Sequence, residues 1–261
     1  MKEAGESDEL DGIVDDSATG YKILKIFASE RQMLQLMTQM DLMGLDVEEL
    51  EDGMPKAMAE ITEPTFDSFV AFDIEHTGTF GAAHGDAEAE IIEIGAVKLN
   101  PDGTTETFTQ LVQPYRFKKL NQRIQDLTGI TTEQLLTAPS FKQAINAFKH
   151  WCTGDYVLLT FGEFDRKVLE EELARNYVKQ QFLYPMIDFQ QKYMIHKQIK
   201  EQPSLGGLME ELGLEVETQH RALADADSLL RIFQTVDGER IIAEQETNEF
   251  MMILGSLKQQ E

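Results

Sequence analysis

The sequence predicts an α/β protein whose mixed five-stranded sheet is flanked by helices. Three observations support this fold: apolar segments of strand length, helical periodicity between and after them, and the order in which the two alternate. Three strands come in succession, and the later strands alternate with helices. With 261 residues, of which 42% are hydrophobic, the chain can bury a core of this size and carry an additional segment.

Five segments have the length and apolar content of strands. They cover residues 68–75, 91–99, 104–113, 156–161 and 187–188. The sequence Asn-Pro-Asp-Gly at 100–103 is typical of a turn and leads from the second strand into the third.

Helical spacing begins after the third strand. A helix of alternating character is predicted to start at 128–131, and Pro139 and Ser140 are predicted to cap another that runs to Trp151. Further helices are predicted at 163–178, 189–199, 204–212 and 222–235.

Composition divides the chain into four segments. Residues 1–20 are polar and acidic and are predicted to be disordered. Residues 21–65 form a predicted helical, acidic N-terminal extension with methionines at helical spacing, and such faces suit adaptable binding to a protein partner. Residues 66–235 contain the predicted sheet. Residues 236–261 are predicted to form an amphipathic C-terminal helix that packs on that domain.

The single cysteine and the absence of long apolar runs bear on the compartment. Cys152 has no partner for an internal disulfide, which is consistent with a reducing cytoplasm. The first residues are not typical of a signal peptide, and no apolar run approaches the length of a membrane span. The sequence therefore predicts a cytoplasmic protein that does not contact a membrane.

Charge is distributed unevenly along the chain. The formal net charge is −24, yet residues 116–200 carry 13 basic and 9 acidic side chains. A nucleic-acid backbone could be held along this basic stretch while cations screen the acidic remainder. The basic side chains singled out are Arg116, Lys118, Lys119, Arg123, Arg166 and Lys167.

Two acids in the first predicted strand form an unusual pair. Residues two apart in a strand face the same way, so Asp73 and Glu75 project together, opposite to Phe72 and Ile74. Paired acids on an otherwise apolar strand are costly to bury unless they bind a ligand. The alternative is an edge strand with a solvated face.

Two further acids and a histidine complete the candidate site. Asp165 opens a predicted helix after the fourth strand, and His220 and Asp225 lie about one turn apart at the entrance of the last predicted helix. Four acids that converge cannot all stay ionised without cations among them. We interpret the set as a two-magnesium site that hydrolyses phosphodiester bonds, with the histidine as general base.

Five ordered segments resemble the DEDDh branch of the 3′–5′ exonuclease superfamily, whose fold is ribonuclease H-like. The resemblance covers residues 66–235. Its segments are Phe-Asp-Ile-Glu-His-Thr-Gly (72–78), Ile-Ile-Glu-Ile-Gly-Ala-Val (91–97), Leu-Thr-Gly-Ile-Thr (127–131), Phe-Gly-Glu-Phe-Asp (161–165) and His-Arg-Ala-Leu-Ala-Asp-Ala (220–226). Their form is more similar to the KapD-like and histone-mRNA-trimming exoribonucleases than to polymerase proofreading subunits.

The resemblance implies a division of roles. Asp73 would bridge two divalent cations, Mg²⁺ or Mn²⁺, with Glu75, Asp165 and Asp225 completing their shells, and His220 would deprotonate the attacking water. The implied activity is 3′–5′ hydrolysis of single-stranded nucleic acid, with RNA favoured over DNA, and release of nucleoside 5′-monophosphates. Two alternatives stay open: a DNA proofreading exonuclease bound to a polymerase, and a regulatory binding module on a nuclease fold.

Two positions depart from the family pattern. His76 stands where the family usually has threonine, and because it points away from Glu75 in a regular strand it is not expected to bind metal. The loop from Thr79 to Glu90 is also longer than usual, and its Phe80 and His84 could shape the entry for a 3′ end.

Overall fold

In the computed structural model, five strands form one sheet in the order β3-β2-β1-β4-β5. The structure describes residues 68–78, 89–116, 119–215 and 220–245. The strands are β1 (Ser68–His76), β2 (Ile91–Leu99), β3 (Thr105–Leu111), β4 (Tyr156–Thr160) and β5 (Met186–Asp188). The first three pair in antiparallel fashion, whereas β4 runs parallel to both β1 and β5. The predicted mixed five-stranded sheet is therefore confirmed.

Helices follow β3 and then alternate with the last two strands. They are α1 (Gln122–Thr128), α2 (Thr132–Leu136), α3 (Phe141–Trp151), α4 (Phe164–Arg175), α5 (Phe189–Lys197), α6 (Leu205–Glu211) and α7 (Ala222–Thr235). A short 3₁₀ turn covers Gln181–Leu183, and residues 238–245 are helical again.

The central strand β1 contributes apolar side chains to cores on both faces of the sheet. Phe72 belongs to the core that includes α3, where its ring lies 5.3 Å from that of Phe148. Phe69 points the other way, and its ring lies 4.7 Å from that of Phe233 in α7. Because side chains alternate along a strand, Asp73 and Glu75 lie on the face that α7 covers.

Helix α7 crosses β2 so closely that one position must be glycine. A Cβ built on Gly95 would lie 2.1 Å from the carbonyl carbon of Ala222 and 2.2 Å from the backbone nitrogen of Leu223. No side chain fits at that distance, so Gly95 allows the first turn of α7 to rest directly on the sheet.

We expect Gly95→Ala to push the first turn of α7 away from β2. Overpacking of this kind lowers the free energy of unfolding by about 1–3 kcal/mol, which urea denaturation would measure. Gly103→Ala is the comparison, because a Cβ there meets nothing within 4 Å, so its loss reflects only the strain of a side chain at a backbone φ of +82°. Equal losses in the two variants would contradict a steric role for Gly95.

Element ends show where the sequence prediction was imprecise. Strand β3 spans 105–111 rather than 104–113, and α4 spans 164–175 rather than 163–178. Helix α1 was not predicted, because its seven residues hold too little periodicity to be distinguished from a loop. Gly129, which the sequence placed at the start of a helix, ends α1 in a left-handed conformation with φ 70°.

Several predicted segments lie outside the described residues. These are the acidic tail 1–20, the extension 21–65, the loop residues 79–88 with Phe80 and His84, and the apolar positions beyond residue 245. The described residues fall within one compact unit, Phe66–Gln245. Among the helices in this part of the chain, each is too short or too polar to span a bilayer.

Candidate active site

Three carboxylates that the sequence singled out meet on the α7 side of the sheet. One carboxylate oxygen each from Asp73, Glu75 and Asp225 lies within 4.8 Å of the other two. Two of these residues come from β1 and the third from the first turn of α7. Their convergence follows from the alternation of β1 and from the close seat of α7 on the sheet.

Asp165 reaches the same place from the parallel neighbour of β1. It lies in the first turn of α4, which follows β4, and its carboxyl group hydrogen-bonds with that of Asp73. Two carboxyl groups can share such a bond only if one of them holds a proton. Together we call Asp73, Glu75, Asp165 and Asp225 the acidic cluster.

Desolvation raises the pKa values of the whole acidic cluster, and repulsion from neighbouring carboxylates adds to it at Asp73, Glu75 and Asp165. Burial, followed by the charges of Asp165, Asp225 and Glu75, raises the pKa of Asp73 well above its ordinary range. Burial is also the main cause that raises the pKa of Glu75 to about 8 and that of Asp165 to about 7. The pKa of Asp225 is raised by burial as well.

The acidic cluster fits a divalent cation. Its donors are carboxylate oxygens, which Mg²⁺ and Mn²⁺ prefer, and they crowd together at a cost that a cation would remove. Burial is the first cause of the raised pKa values and neighbouring charge the second, and a bound cation would offset both by favouring the ionised carboxylates.

We expect the metal-free protein to lose stability as the pH rises from about 5 to about 8. The folded pKa values of Glu75 and Asp165, about 8 and about 7, exceed the ordinary 4.5 and 3.8, so the folded state binds more protons over this range. The free energy of unfolding in EDTA should therefore fall by at least about 2 kcal/mol, and added Mn²⁺ should restore it.

The source of that pH dependence can be checked with one variant. Glu75→Gln should reduce the slope, and Asp165 and Glu172, whose pKa values burial raises to about 7, should leave a residual slope. If the metal-free wild type were equally stable at pH 5 and pH 8, the pKa values of the acidic cluster would not be raised in the folded state.

His220 lies two residues before α7 and contacts the acidic cluster through its backbone. Its N–H donates to the Asp225 carboxylate at 3.1 Å, and its left-handed backbone (φ 64°) turns the chain into the helix. The residue is exposed, so solvent or a substrate can reach its imidazole.

His76 lies beside the acidic cluster but faces a different neighbour. Its ring lies 5.0 Å from that of Phe164, and its Nδ1 accepts a hydrogen bond from the Gly78 N–H at 3.0 Å. A bulge between Glu75 and His76 shifts the strand register at this point. The prediction of a regular strand here was therefore wrong. Burial lowers the pKa of His76.

Two site residues were not assigned a role from the sequence. Glu93 of β2 is 1% exposed and accepts two hydrogen bonds from the Arg221 guanidinium and one from the Ala222 N–H. Asp188, at the end of β5, accepts from the Gly162 N–H at 2.9 Å. The only sequence signal for Glu93 was an acid within an apolar strand, and Asp188 gave none.

The basic side chains singled out earlier lie mostly at the surface. Arg116, Lys119, Arg123 and Lys167 are exposed, and Lys118 lies outside the described residues. Arg166 is engaged within α4, since its Nε donates to Glu170 at 2.8 Å.

Fold and site together define a domain of the DEDDh 3′–5′ exonuclease class, a class of hydrolytic enzymes. The Exonuclease family model (RNase T) matches residues 70–233, and the chain belongs to this family. DEDDh enzymes use divalent metal ions, in agreement with the acidic cluster.

Known proteins similar to the chain include a polymerase and free-standing nucleases. DNA polymerase III PolC-type of Oceanobacillus iheyensis is 29% identical over 72% of this chain, which spans only 13% of that protein. The probable 3′–5′ exonuclease KapD of Bacillus subtilis is 29% identical over 58% of this chain and 75% of its own length. The solved nuclease domain of 3′hExo, a DEDDh family member bound to rAMP, is 26% identical with a TM-score of 0.61, covering 70% of this chain and 94% of that one.

Proposed function

We propose that the protein removes nucleotides from the 3′ end of single-stranded nucleic acid, with RNA preferred, and releases nucleoside 5′-monophosphates. The observation that carries the proposal is the convergence of Asp73, Glu75 and Asp225 within 4.8 Å, with Asp165 joined to Asp73. Two divalent cations, Mg²⁺ or Mn²⁺, held by these four side chains would neutralise the phosphate and polarise it for attack.

The remaining chemistry falls to His220. His220 is exposed and its backbone bonds to Asp225, so its imidazole would take the proton of the water that attacks the terminal phosphodiester bond. The Asp225 carboxylate accepts the His220 N–H, and this bond holds the backbone of the base next to the metal site.

The preference for RNA rests on the neighbouring structure. The 3′hExo domain was solved with a ribonucleotide, rAMP, and the chain covers 94% of that domain. By contrast, the chain spans only 13% of the PolC-type polymerase. Similarity to so small a part of that protein is weaker support for a DNA substrate.

A degradation panel tests the proposal. Single-stranded RNA, single-stranded DNA of the same sequence and a stem-loop with a short 3′ tail would be labelled at the 5′ end and incubated with Mn²⁺. We expect progressive shortening of the single-stranded RNA first and nucleoside 5′-monophosphates as products. Faster removal from DNA would overturn the RNA preference, and binding without shortening would favour the regulatory module.

A second function is a proofreading exonuclease that works with a polymerase. The PolC-type relative motivates it, and the helical segment predicted at 21–65 would supply the contact with the protein partner. A pull-down with and without residues 1–65 separates the two functions, because only the proofreading role requires capture of a replicative polymerase.

A further inference from the structure

Glu93 and Arg221 form an ion pair at the base of the helix that carries the catalytic residues. Arg221 Nε lies 3.0 Å from Glu93 Oε2, and Arg221 Nη2 lies 2.5 Å from Glu93 Oε1. The Arg221 side chain is 45% exposed, whereas that of Glu93 is only 1% exposed. We propose that Glu93 and Arg221 are a positioning pair that orients His220 and Asp225 for hydrolysis, and this inference rests on the proposed function.

Glu93 also replaces the missing cap of α7. The residue at the N-cap position, Arg221, makes no side-chain capping bond, and the first helical N–H, that of Ala222, donates to Glu93 Oε2 at 3.1 Å. A carboxylate at this place satisfies a free backbone donor and interacts favourably with the helix dipole. The start of α7 is thus fixed from β2, where Gly95 lets the helix approach.

The bonds around Arg221 connect this pair to both catalytic residues. The Asp225 N–H donates to the Arg221 carbonyl at 3.0 Å, and the His220 N–H donates to the Asp225 carboxylate at 3.1 Å. A shift of Arg221 therefore moves both the helical turn that bears Asp225 and the residue before Arg221, which is His220. Outer partners of this kind orient the groups that bind metal.

Charge gives the pair a second effect. Glu93 lies directly opposite Glu75 in the pairing of β1 with β2. Without the guanidinium, a buried carboxylate would face another carboxylate, and breaking one side of a buried ion pair is strongly unfavourable. Removal of Arg221 alone should consequently harm the site more than removal of both charges.

The experiment compares Arg221→Met, Glu93→Gln and the double variant in the full-length chain with Mn²⁺. We expect Arg221→Met to lower kcat by roughly 10- to 100-fold with KM for the oligonucleotide unchanged, and to raise the Mn²⁺ concentration for half-maximal rate. The double variant should recover about tenfold over Arg221→Met, because the unpaired carboxylate is gone. Arg240→Met, which breaks an exposed ion pair, is the control and should leave kcat unchanged.

A role in substrate binding gives the opposite result. If Arg221 held the nucleic acid, Arg221→Met would raise KM for the oligonucleotide, leave hydrolysis of the p-nitrophenyl ester of thymidine 5′-monophosphate intact, and gain nothing from Glu93→Gln. That pattern would overturn the proposal. Should Arg221→Met fail to fold, Arg221→Lys keeps the charge but loses the paired donors, and a normal kcat in this variant would be equally decisive against it.

Failure of the inference can be told from failure of the proposed function. If the wild type releases no mononucleotide from any substrate, the proposed function is wrong, whatever the variants do. The positioning role would then be read from the rise in melting temperature with Mn²⁺. Its midpoint concentration should be roughly tenfold higher in Arg221→Met than in the wild type, and an unchanged midpoint would refute the role.

Discussion

Asp73→Asn is expected to abolish hydrolysis and metal binding together. Asp73 contacts every other member of the acidic cluster. Its carboxylate lies close to those of Glu75 and Asp225, and it hydrogen-bonds with that of Asp165. Loss of its charge removes several kcal/mol of cation-dependent stabilisation of the transition state, so kcat/KM should fall at least about a thousand-fold. Single-turnover assays over a range of Mn²⁺ concentrations would measure the loss.

The same variant should gain stability when no metal is present. Asp73 is desolvated among like charges, so the neutral amide relieves repulsion and should raise the melting temperature in EDTA at pH 8. Asp102→Asn is the matched control, because Asp102 lies in an exposed turn, where its carboxylate accepts hydrogen bonds from Thr104. Asp73→Asn protein that still binds Mn²⁺ with wild-type affinity would disprove the assigned role.

His220→Ala is expected to separate catalysis from metal binding. In the proposed mechanism the imidazole takes the proton of the attacking water, so its loss should lower kcat by roughly 100- to 10,000-fold. The carboxylates are untouched, and the backbone N–H that donates to Asp225 is still present. The Mn²⁺ concentration that half-saturates the thermal shift should therefore stay close to that of the wild type.

His150 offers the control for this experiment. It is exposed on α3 and its Nδ1 contacts the carbonyl of Asn146, so His150→Ala should keep full activity. Were His220→Ala to weaken Mn²⁺ binding as much as Asp73→Asn does, the histidine would be acting on the metal site and not as a base.

Elements with strong local signals were predictable from the sequence. Strand β2 has the predicted bounds, 91–99, because its nearly continuous apolar run is followed directly by the turn residues 100–103. Helix α3 begins after Ser140 as predicted, and the Gln143 side chain accepts the Ser140 N–H at 3.0 Å. Helix α7 also has its predicted bounds, 222–235.

Other features depend on distant partners and leave no local trace. Glu93 takes its role from Arg221, 128 residues further along the chain. Asp188 supports the turn at Gly162, which precedes Asp165, from a strand 26 residues away. A pattern of acids could suggest that Asp73, Glu75, Asp165 and Asp225 converge, but the close approach of the Asp73 and Asp165 carboxyl groups is a consequence of folded geometry.

The seat of α7 on β2 has a consequence for protein synthesis. Asp73 and Glu75 leave the ribosome early, but Asp225 follows only when nearly the whole domain has been translated. A nascent chain therefore holds no assembled acidic cluster until α7 has been translated. Fragments released by premature termination before α7 lack Asp225 and should likewise lack the assembled cluster.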